Sequence, residues 1–341
     1  MTNLQELAYA LWESRGRPLG DDWADWFAAE AQLRARSTAT TATPKLRFDL
    51  MADLRAIYAD KLAAEGVTVD PSVNTGEVLA RYFSLRHRDI SNSRRRAKWS
   101  RELTVRLASL DAEKQQALAA IESLAKSGGN LNPYQSRQLV TRPGAPDSQL
   151  LEWGITHFHL GLKPDKKHPT LIEGTSDLLF VVVRSDALYL VEIFDHKAFA
   201  DQQVFNIANG NWPELFAHAA WNNAVGLERP VSAQERSMLR RANINVPTLG
   251  ANGTVYGSVG FGITTAGTPV AVMQQQVFPI IRQVRAFEQW CRDKPGDVLQ
   301  SVPPGLLVGL TEVTVRLVET ANGLLPAVDV PDGVASDPPL V

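Results

Sequence analysis

The sequence predicts an α+β fold: a helical N-terminal half, a central antiparallel β-meander flanked by helices, and a small C-terminal β-plus-helix extension. Three observations predict it. From Lys45 to Lys126 apolar residues recur at helical spacing, between Trp153 and Phe194 the pattern changes to alternation and short β-branched runs, and around Ile280 to Trp290 helical spacing returns. A chain of 341 residues, 44% apolar and 21% charged, exceeds one comfortable core, so two or three units are expected.

Leu4, Leu7, Ala8, Leu11 and Trp12 share one helical face, Gly16 and Pro18 stop that helix, and Trp23, Trp26, Phe27, Glu30 and Leu33 begin another. This defines a helical hairpin over residues 1–36, in which the three tryptophans are expected to form the core of a unit too small for aliphatics alone. The STATTATP stretch, Ser37 to Pro44, reads as a linker. A helical region follows over 45–130, carried by Leu46, Leu50, Leu54, Ile57 and Tyr58, then Val78, Leu79, Tyr82 and Phe83, then Leu103, Leu107, Leu110, Leu118, Ile121 and Leu124. Gly128, Gly129, Asn130 and Pro133 end it. An α+β domain is expected over 131–325. Its meander comprises GITHFHL, DLLFVVV and ALYLVEIF, with Ser185 and Asp186 as the turn between the last two. Ala198 to Ala208 reads as a helix, the NWPE stretch as a turn plugged by Trp212, and Gly253 to Tyr256 with Gly260 to Thr265 as a second small β unit. Residues 326–341, rich in Pro and Asp, read as a disordered tail.

Thirty-five basic residues against 37 acidic ones give a net charge of -2, which removes any global argument for nucleic-acid binding and leaves only local patches. Cys291 is the sole cysteine, so neither an intrachain disulfide nor a cysteine-rich zinc module is available, and a bacterial-type cytoplasm is the expected compartment. No signal peptide or membrane span is expected, since no stretch approaches the roughly 18 apolar residues required.

Four of the six histidines, His157, His159, His168 and His196, group around the meander. The pleat turns His157 and His159 to one face, and His196 follows the last strand. Imidazoles so placed can exchange protons near neutral pH or complete a hydrogen-bonded polar core, and both readings stand. Between Arg81 and Arg106 lie nine basic residues against two acidic ones. Arg94, Arg95, Arg96, Lys98 and Arg101, with Trp99 available for stacking and Arg184 in the meander, are the candidate nucleic-acid contacts, read as a basic helix face; the alternative is a solvated face paired to acids elsewhere. The glycine-rich GSVGFG, 257 to 262, lacks the Lys-Ser/Thr of a phosphate-binding loop.

The segment LAYALWESRGRPLGDDWADWFAAEAQL resembles a short bacterial domain of unknown function, over about a tenth of the chain. The order W-G-I-x-H-x-H-L, D-L-L-F, N-W-P-E resembles an uncharacterised bacterial family from about Asn132 to Trp290; it marks His157, His159 and His196 as family-type positions and implies no activity. The meander also resembles the RelE-type messenger-RNA-cleaving toxins, in which helices precede an antiparallel meander whose last strand runs into a His or basic residue. That likeness implies a metal-independent ribonuclease, a toxin or defence effector, that aligns the ribose 2′-hydroxyl for attack on its own phosphodiester, with His157, His159, His196, Lys197 and Arg184 as matching residue types. A further likeness is to restriction-endonuclease-like nucleases, through Asp177 and the D-x-K of Asp195 and Lys197. It implies that Asp177 and Asp195 hold Mg2+ and Lys197 orients water, with Ser176 departing from the usual proline. The expectation is an RNA-cleaving enzyme without a cofactor, with RNA as partner and a possible protein partner at the N-terminal hairpin. A magnesium-dependent nuclease and a non-catalytic binding scaffold are the alternatives.

Overall fold

The computed structural model describes residues 2–16, 23–30, 43–142, 145–307 and 309–329. It is a mixed α and β structure whose strands, in chain order, are β1 (Lys45–Arg47), β2 (Arg96–Trp99), β3 (Thr156–His159), β4 (Asp177–Val183), β5 (Ala187–Asp195), β6 (Thr248–Leu249), β7 (Val255–Tyr256), β8 (Glu312–Thr320) and β9 (Gly323–Asp329). The chain divides into two compact units, Met1–Leu54 with Gln283–Val341, and Arg55–Arg282. No boundary falls near residue 130, because β2 lies before that point and pairs with β5 beyond it.

The unit Arg55–Arg282 is organised by a four-stranded sheet in the order β2-β5-β4-β3. The expected meander is present: β3, β4 and β5 are antiparallel neighbours, and Arg184 N–H closes the Ser185-Asp186 turn on Ala187 O at 2.9 Å. β2 is a correction to the sequence reading. Arg94 to Trp99 is extended rather than helical, and Arg96–Trp99 runs parallel to β5 as the edge strand. A four-residue strand has too short a pattern to show in sequence, and its hydrogen bonds come from a partner about ninety residues away.

Both faces of this sheet are covered. Phe180, Tyr189 and Val191 pack on one side with Trp153, Phe205, Trp212 and Phe216. Leu179, Leu190 and Ile193 pack on the other with Leu103, Leu118 and Ile121. Burial on both faces is why DLLFVVV reads as an unbroken apolar run. The helices Leu50–Ala64, Thr75–Arg86, Arg101–Arg106 and Ala112–Ser127 match the expected periodicity. The last ends at Gly128, whose φ of 81° is the left-handed conformation a helix C-terminus favours in glycine.

Ser100 joins β2 to the following helix: its buried hydroxyl accepts from Leu103 N–H at 2.9 Å and donates to Val191 O at 2.6 Å. Ser100→Ala removes the cap and strands a buried carbonyl, so a loss of about 1–3 kcal/mol is expected in denaturant unfolding. A change within error would show that β2 is not anchored there.

Ala198 to Ala208 is not one helix. A 3-10 turn over His196–Ala200 gives way to the helix Gln202–Asn211 because Asp201 caps the second segment on Gln203 N–H. The second β unit is smaller than expected, with β6 paired to β7 and isolated bridges from Ala220 to Tyr256 and from Ile263 to Pro269.

In the other unit β1 lies parallel to β8, and β8 and β9 form a hairpin closed by the Thr320–Gly323 pair. Val313, Val315 and Leu317 alternate into the interior, and Asp53 accepts from Leu317 N–H at 2.9 Å. Residues 326–329 therefore belong to a strand, not to a disordered tail; residues 330–341 lie outside the described residues, as do residues 37–42 of the expected linker. The hairpin's helices cover Thr2–Ser14 and residues 23–30, joined by an Arg15–Asp25 ion pair. Trp23 does not enter a core: it is 73% exposed, beside exposed Phe27, while Asp25 and Ala29 are the buried positions of that helix.

Candidate functional site

The three meander imidazoles come together. His157 and His159 are buried on one face of edge strand β3 with ring centroids 6.1 Å apart, and His196, exposed at the end of β5, stands 6.1 Å from His159. One backbone residue sets two of the rings. Thr175 N–H donates to His159 Nδ1 at 3.0 Å, and Thr175 O accepts from His196 Nε2 at 3.0 Å. His159 therefore carries its proton on Nε2, and the His196 ring is turned so that Nε2 faces Thr175 O. Burial lowers the proton affinity of His157, helped by the neighbouring His196 and Arg88 charges and opposed by Asp147. Burial also pushes His159 down to about 4, with the His157, His196 and Arg137 charges acting in the same direction. Both are neutral imidazoles at pH 7.

Beside them lies a cavity of about 360 Å³ that His157 and His196 line together with Arg88, Gln149, Arg240 and Arg241. Its walls come from separate segments of the chain: Arg88 follows the helix Thr75–Arg86, Gln149 is in the first turn of the helix Ser148–Trp153, His157 is on β3, His196 opens the 3-10 turn His196–Ala200, and Arg240 and Arg241 end the helix Ala233–Arg241. Seven buried side-chain polar atoms among the described residues lack a hydrogen-bond partner, and five belong to this wall: Arg88 Nε, both amide atoms of Gln149, His157 Nδ1 and Arg240 Nη2. Buried polar groups are ordinarily satisfied, so donors and acceptors gathered around one space are groups arranged to meet a ligand. The acid on the wall, Asp147, caps Gln149 and Leu150 N–H at 3.2 and 3.0 Å, and three arginines face it across the wall. The space suits an anion.

The arginine run sits elsewhere. β2 and β3 are opposite edges of the sheet, three strand spacings or roughly 14 Å apart. Arg95 is buried and donates to Arg184 O at 2.7 Å, Ser91 O at 2.8 Å and Ser93 O at 3.1 Å, holding the β4–β5 turn. Arg96 pairs with Asp186 at 2.7 Å, Lys98 lies over the Tyr189 ring at 4.8 Å, and Arg101 contacts Asn211 and Gly210. Trp99 packs half-buried against the core instead of offering a face to a base. Arg94 is exposed, in a shallow depression with Arg96 and Lys126. Arg184, whose backbone oxygen Arg95 holds, lines a second cavity with its side chain beside Gly154 and Phe261.

Lys197 is exposed and does not line the imidazole cavity; its N–H donates to Asp195 at 2.9 Å. Asp177 and Asp195 do face each other in the β4–β5 register, but Lys114 Nζ holds the Asp177 carboxylate at 2.9 Å. Among the described residues no group of three or more His, Cys, Asp or Glu is placed to hold a metal ion. The residues missed by sequence reasoning are Gln149, Arg240 and Arg241, which no local pattern marks, and Arg88, which falls in the basic run but is not singled out from it.

A family model described as "Protein of unknown function (DUF2934)" matches residues 3–35. This agrees with the likeness carried by the LAYALWESRGRP segment and covers the N-terminal hairpin alone. No curated protein and no solved structure matches the chain significantly. Among the described residues, no helix is long and apolar enough to cross a membrane.

The histidines make stability pH-dependent. An unfolded histidine titrates near 6.5, whereas His159 holds no proton until about pH 4. Between those values the unfolded chain binds more protons, so stability is full above 6.5 and falls as pH drops, by on the order of 2–3 kcal/mol from this residue. Unfolding measured from pH 7 to 4 is expected to show that acid limb and to show it shallower in His159→Asn. An unchanged limb in the variant would remove His159 from the account.

Proposed function

We propose that the unit Arg55–Arg282 cleaves RNA without a metal, by attack of a ribose 2′-oxygen on the adjacent phosphorus. One observation carries the reading: two imidazoles and the unpartnered donors of Arg88, Gln149 and Arg240 converge on a single cavity. Cleavage by this route needs a base for the 2′-hydroxyl proton, an acid for the departing 5′-oxygen, and cations around the phosphate. His157, which burial keeps neutral, takes the first proton. His196 delivers the second, its ring oriented by Thr175 O. Arg88 and Arg240 hold the phosphate, and Gln149 fixes its oxygens. The P–O5′ bond breaks as the P–O2′ bond forms, leaving a 2′,3′-cyclic phosphate and a 5′-hydroxyl. The element order also supports the reading, since helices precede a meander whose last strand runs into His196 and Lys197, as in the RelE-type toxins.

The test is labelled RNA and DNA incubated with the full chain, with magnesium and with chelator. Cleavage of RNA that survives chelator and leaves DNA intact is expected. Chelator-sensitive cleavage of DNA would transfer the chemistry to Asp177, Asp195 and Lys197, and binding without cleavage would leave a scaffold.

A further inference from the structure

The glycine-rich segment that resembles no phosphate loop has another use. Val259 N–H donates to Glu152 O at 2.7 Å and Gly262 N–H to Leu151 O at 2.9 Å, docking residues 257–262 against the end of the helix Ser148–Trp153. The approach is so close that a side chain at Gly260 would meet Leu150 O at 1.9 Å. The clamp forces Phe261 to a φ of 68°, which is costly for a bulky residue. Packing does not repay that cost, because Phe261 is 51% exposed, its ring lying 6.1 Å from that of His218 at an interplanar angle of 33°. A second irregularity is a π-helical turn over Met273–Val277, which brings Gln275 to the same place. Backbone strain held in place by the surrounding structure gathers where ligands bind.

Both irregularities border a cavity of about 550 Å³ lined by His87, Arg184, Glu214, His218, Phe261 and Gln275. Among the described residues Arg184 makes one side-chain hydrogen bond, Nη1 to Val183 O at 3.3 Å, and the side chains of His87, Glu214 and Gln275 make none. Arg184 and Glu214 form no ion pair with each other, so a guanidinium and a carboxylate remain open on one wall beside an exposed aromatic ring. We infer that this cavity binds a guanine base, stacked on Phe261, with Arg184 donating to O6 and N7 and Glu214 accepting from N1–H and the 2-amino group. Adenine and the pyrimidines do not present that pair of edges together. The inference rests on the RNA-cleaving reading and deepens it. His87 and Arg88, Gln149 and Leu150, and Thr156 and His157 are chain neighbours that line opposite members of the two cavities. Adjacent Cα atoms are about 3.8 Å apart, so the two cavities share these three stretches of chain as a common wall.

The full chain is titrated calorimetrically with the 5′-monophosphates of guanosine, adenosine, cytidine and uridine. Guanosine monophosphate is expected to bind at least tenfold tighter than the others, and Glu214→Gln to abolish that preference. Phe261→Gly should weaken guanosine monophosphate by roughly 5- to 150-fold, the usual worth of a stacked base, with a Tm equal to or above the parent's because glycine accepts the positive φ. Equal affinity for all four nucleotides overturns the inference. So does a Phe261→Gly variant that melts lower with its nucleotide affinity intact. Guanine-selective binding by a protein that cuts no RNA would reject the cleavage reading alone, while chelator-resistant RNA cleavage with no base preference in binding would reject this pocket alone.

Discussion

If the proposed RNA cleavage is the reaction, replacing His157 or His196 with alanine is expected to lower it by about a hundredfold to ten-thousandfold, the usual cost of removing a proton-transfer group, with the fold retained. His157 sits on an edge strand with an unpartnered Nδ1 and a ring 4.8 Å from Phe199, so its removal opens space beside an existing cavity without breaking a hydrogen bond at that nitrogen. His196 is exposed and gives up one bond to Thr175 O. His159→Ala behaves differently. That ring is absent from the cavity wall and accepts from Thr175 N–H, so its loss is expected to lower stability more than turnover. Lys197→Ala and Asp195→Asn are the controls, expected to leave activity within threefold, because neither side chain reaches the cavity. Rates, Tm and chelator response measured together decide the matter. Full activity in folded His157→Ala and His196→Ala proteins rejects the mechanism, and inactive Asp195→Asn restores the magnesium alternative.

Glu152→Ala destabilises the unit by about 3–5 kcal/mol, enough to unfold a marginal domain. The carboxylate is buried between two arginines: Oε1 accepts from fully buried Arg236, and Oε2 accepts from Arg240 Nε at 2.5 Å. Both guanidiniums lie over the Trp153 ring, at 5.2 and 4.5 Å, and Arg240 also donates to Phe199 O. Removing the acid leaves two cations in an apolar interior, whereas replacing all three charges by apolar groups does not. The triple variant Glu152→Leu, Arg236→Met, Arg240→Met is therefore expected to recover most of the lost stability. Under the proposed function it should still lose cleavage, since Arg240 also lines the imidazole cavity. Denaturant midpoints of the two proteins check this, and equal destabilisation in both would mean that packing rather than charge holds the site.

Several parts of this architecture are legible locally. The period-two placement of His157 and His159 predicts rings on one face, which the 6.1 Å separation matches, and the Ser185-Asp186 turn predicts the β4–β5 hairpin. The β8–β9 hairpin has a fainter local signal: Val313, Val315 and Leu317 alternate before an Ala-Asn-Gly turn, in a stretch overshadowed by the Pro- and Asp-rich end. The arginine run misleads for a physical reason. Charge density along a chain suggests a surface, yet the Arg95 guanidinium is consumed by the nearby backbone oxygens of Ser91 and Ser93 and by Arg184 O, which only the folded β4–β5 turn brings within reach.

By itself the sequence determines what depends on neighbours a few residues apart: helix and strand periodicity, turn positions, the shared face of His157 and His159, and the absence of a disulfide framework in a chain with Cys291 alone. Tertiary structure decides everything that depends on which distant segments meet. It sends β2 to the edge opposite β3, which parts the arginines from the histidines. It also gathers Arg88, Gln149, His157, His196 and Arg240 around one space and leaves Arg88 Nε, the Gln149 amide, His157 Nδ1 and Arg240 Nη2 unpaired. Periodicity is legible because backbone geometry repeats every two or 3.6 residues, whereas an unsatisfied donor exists only relative to atoms brought close by folding.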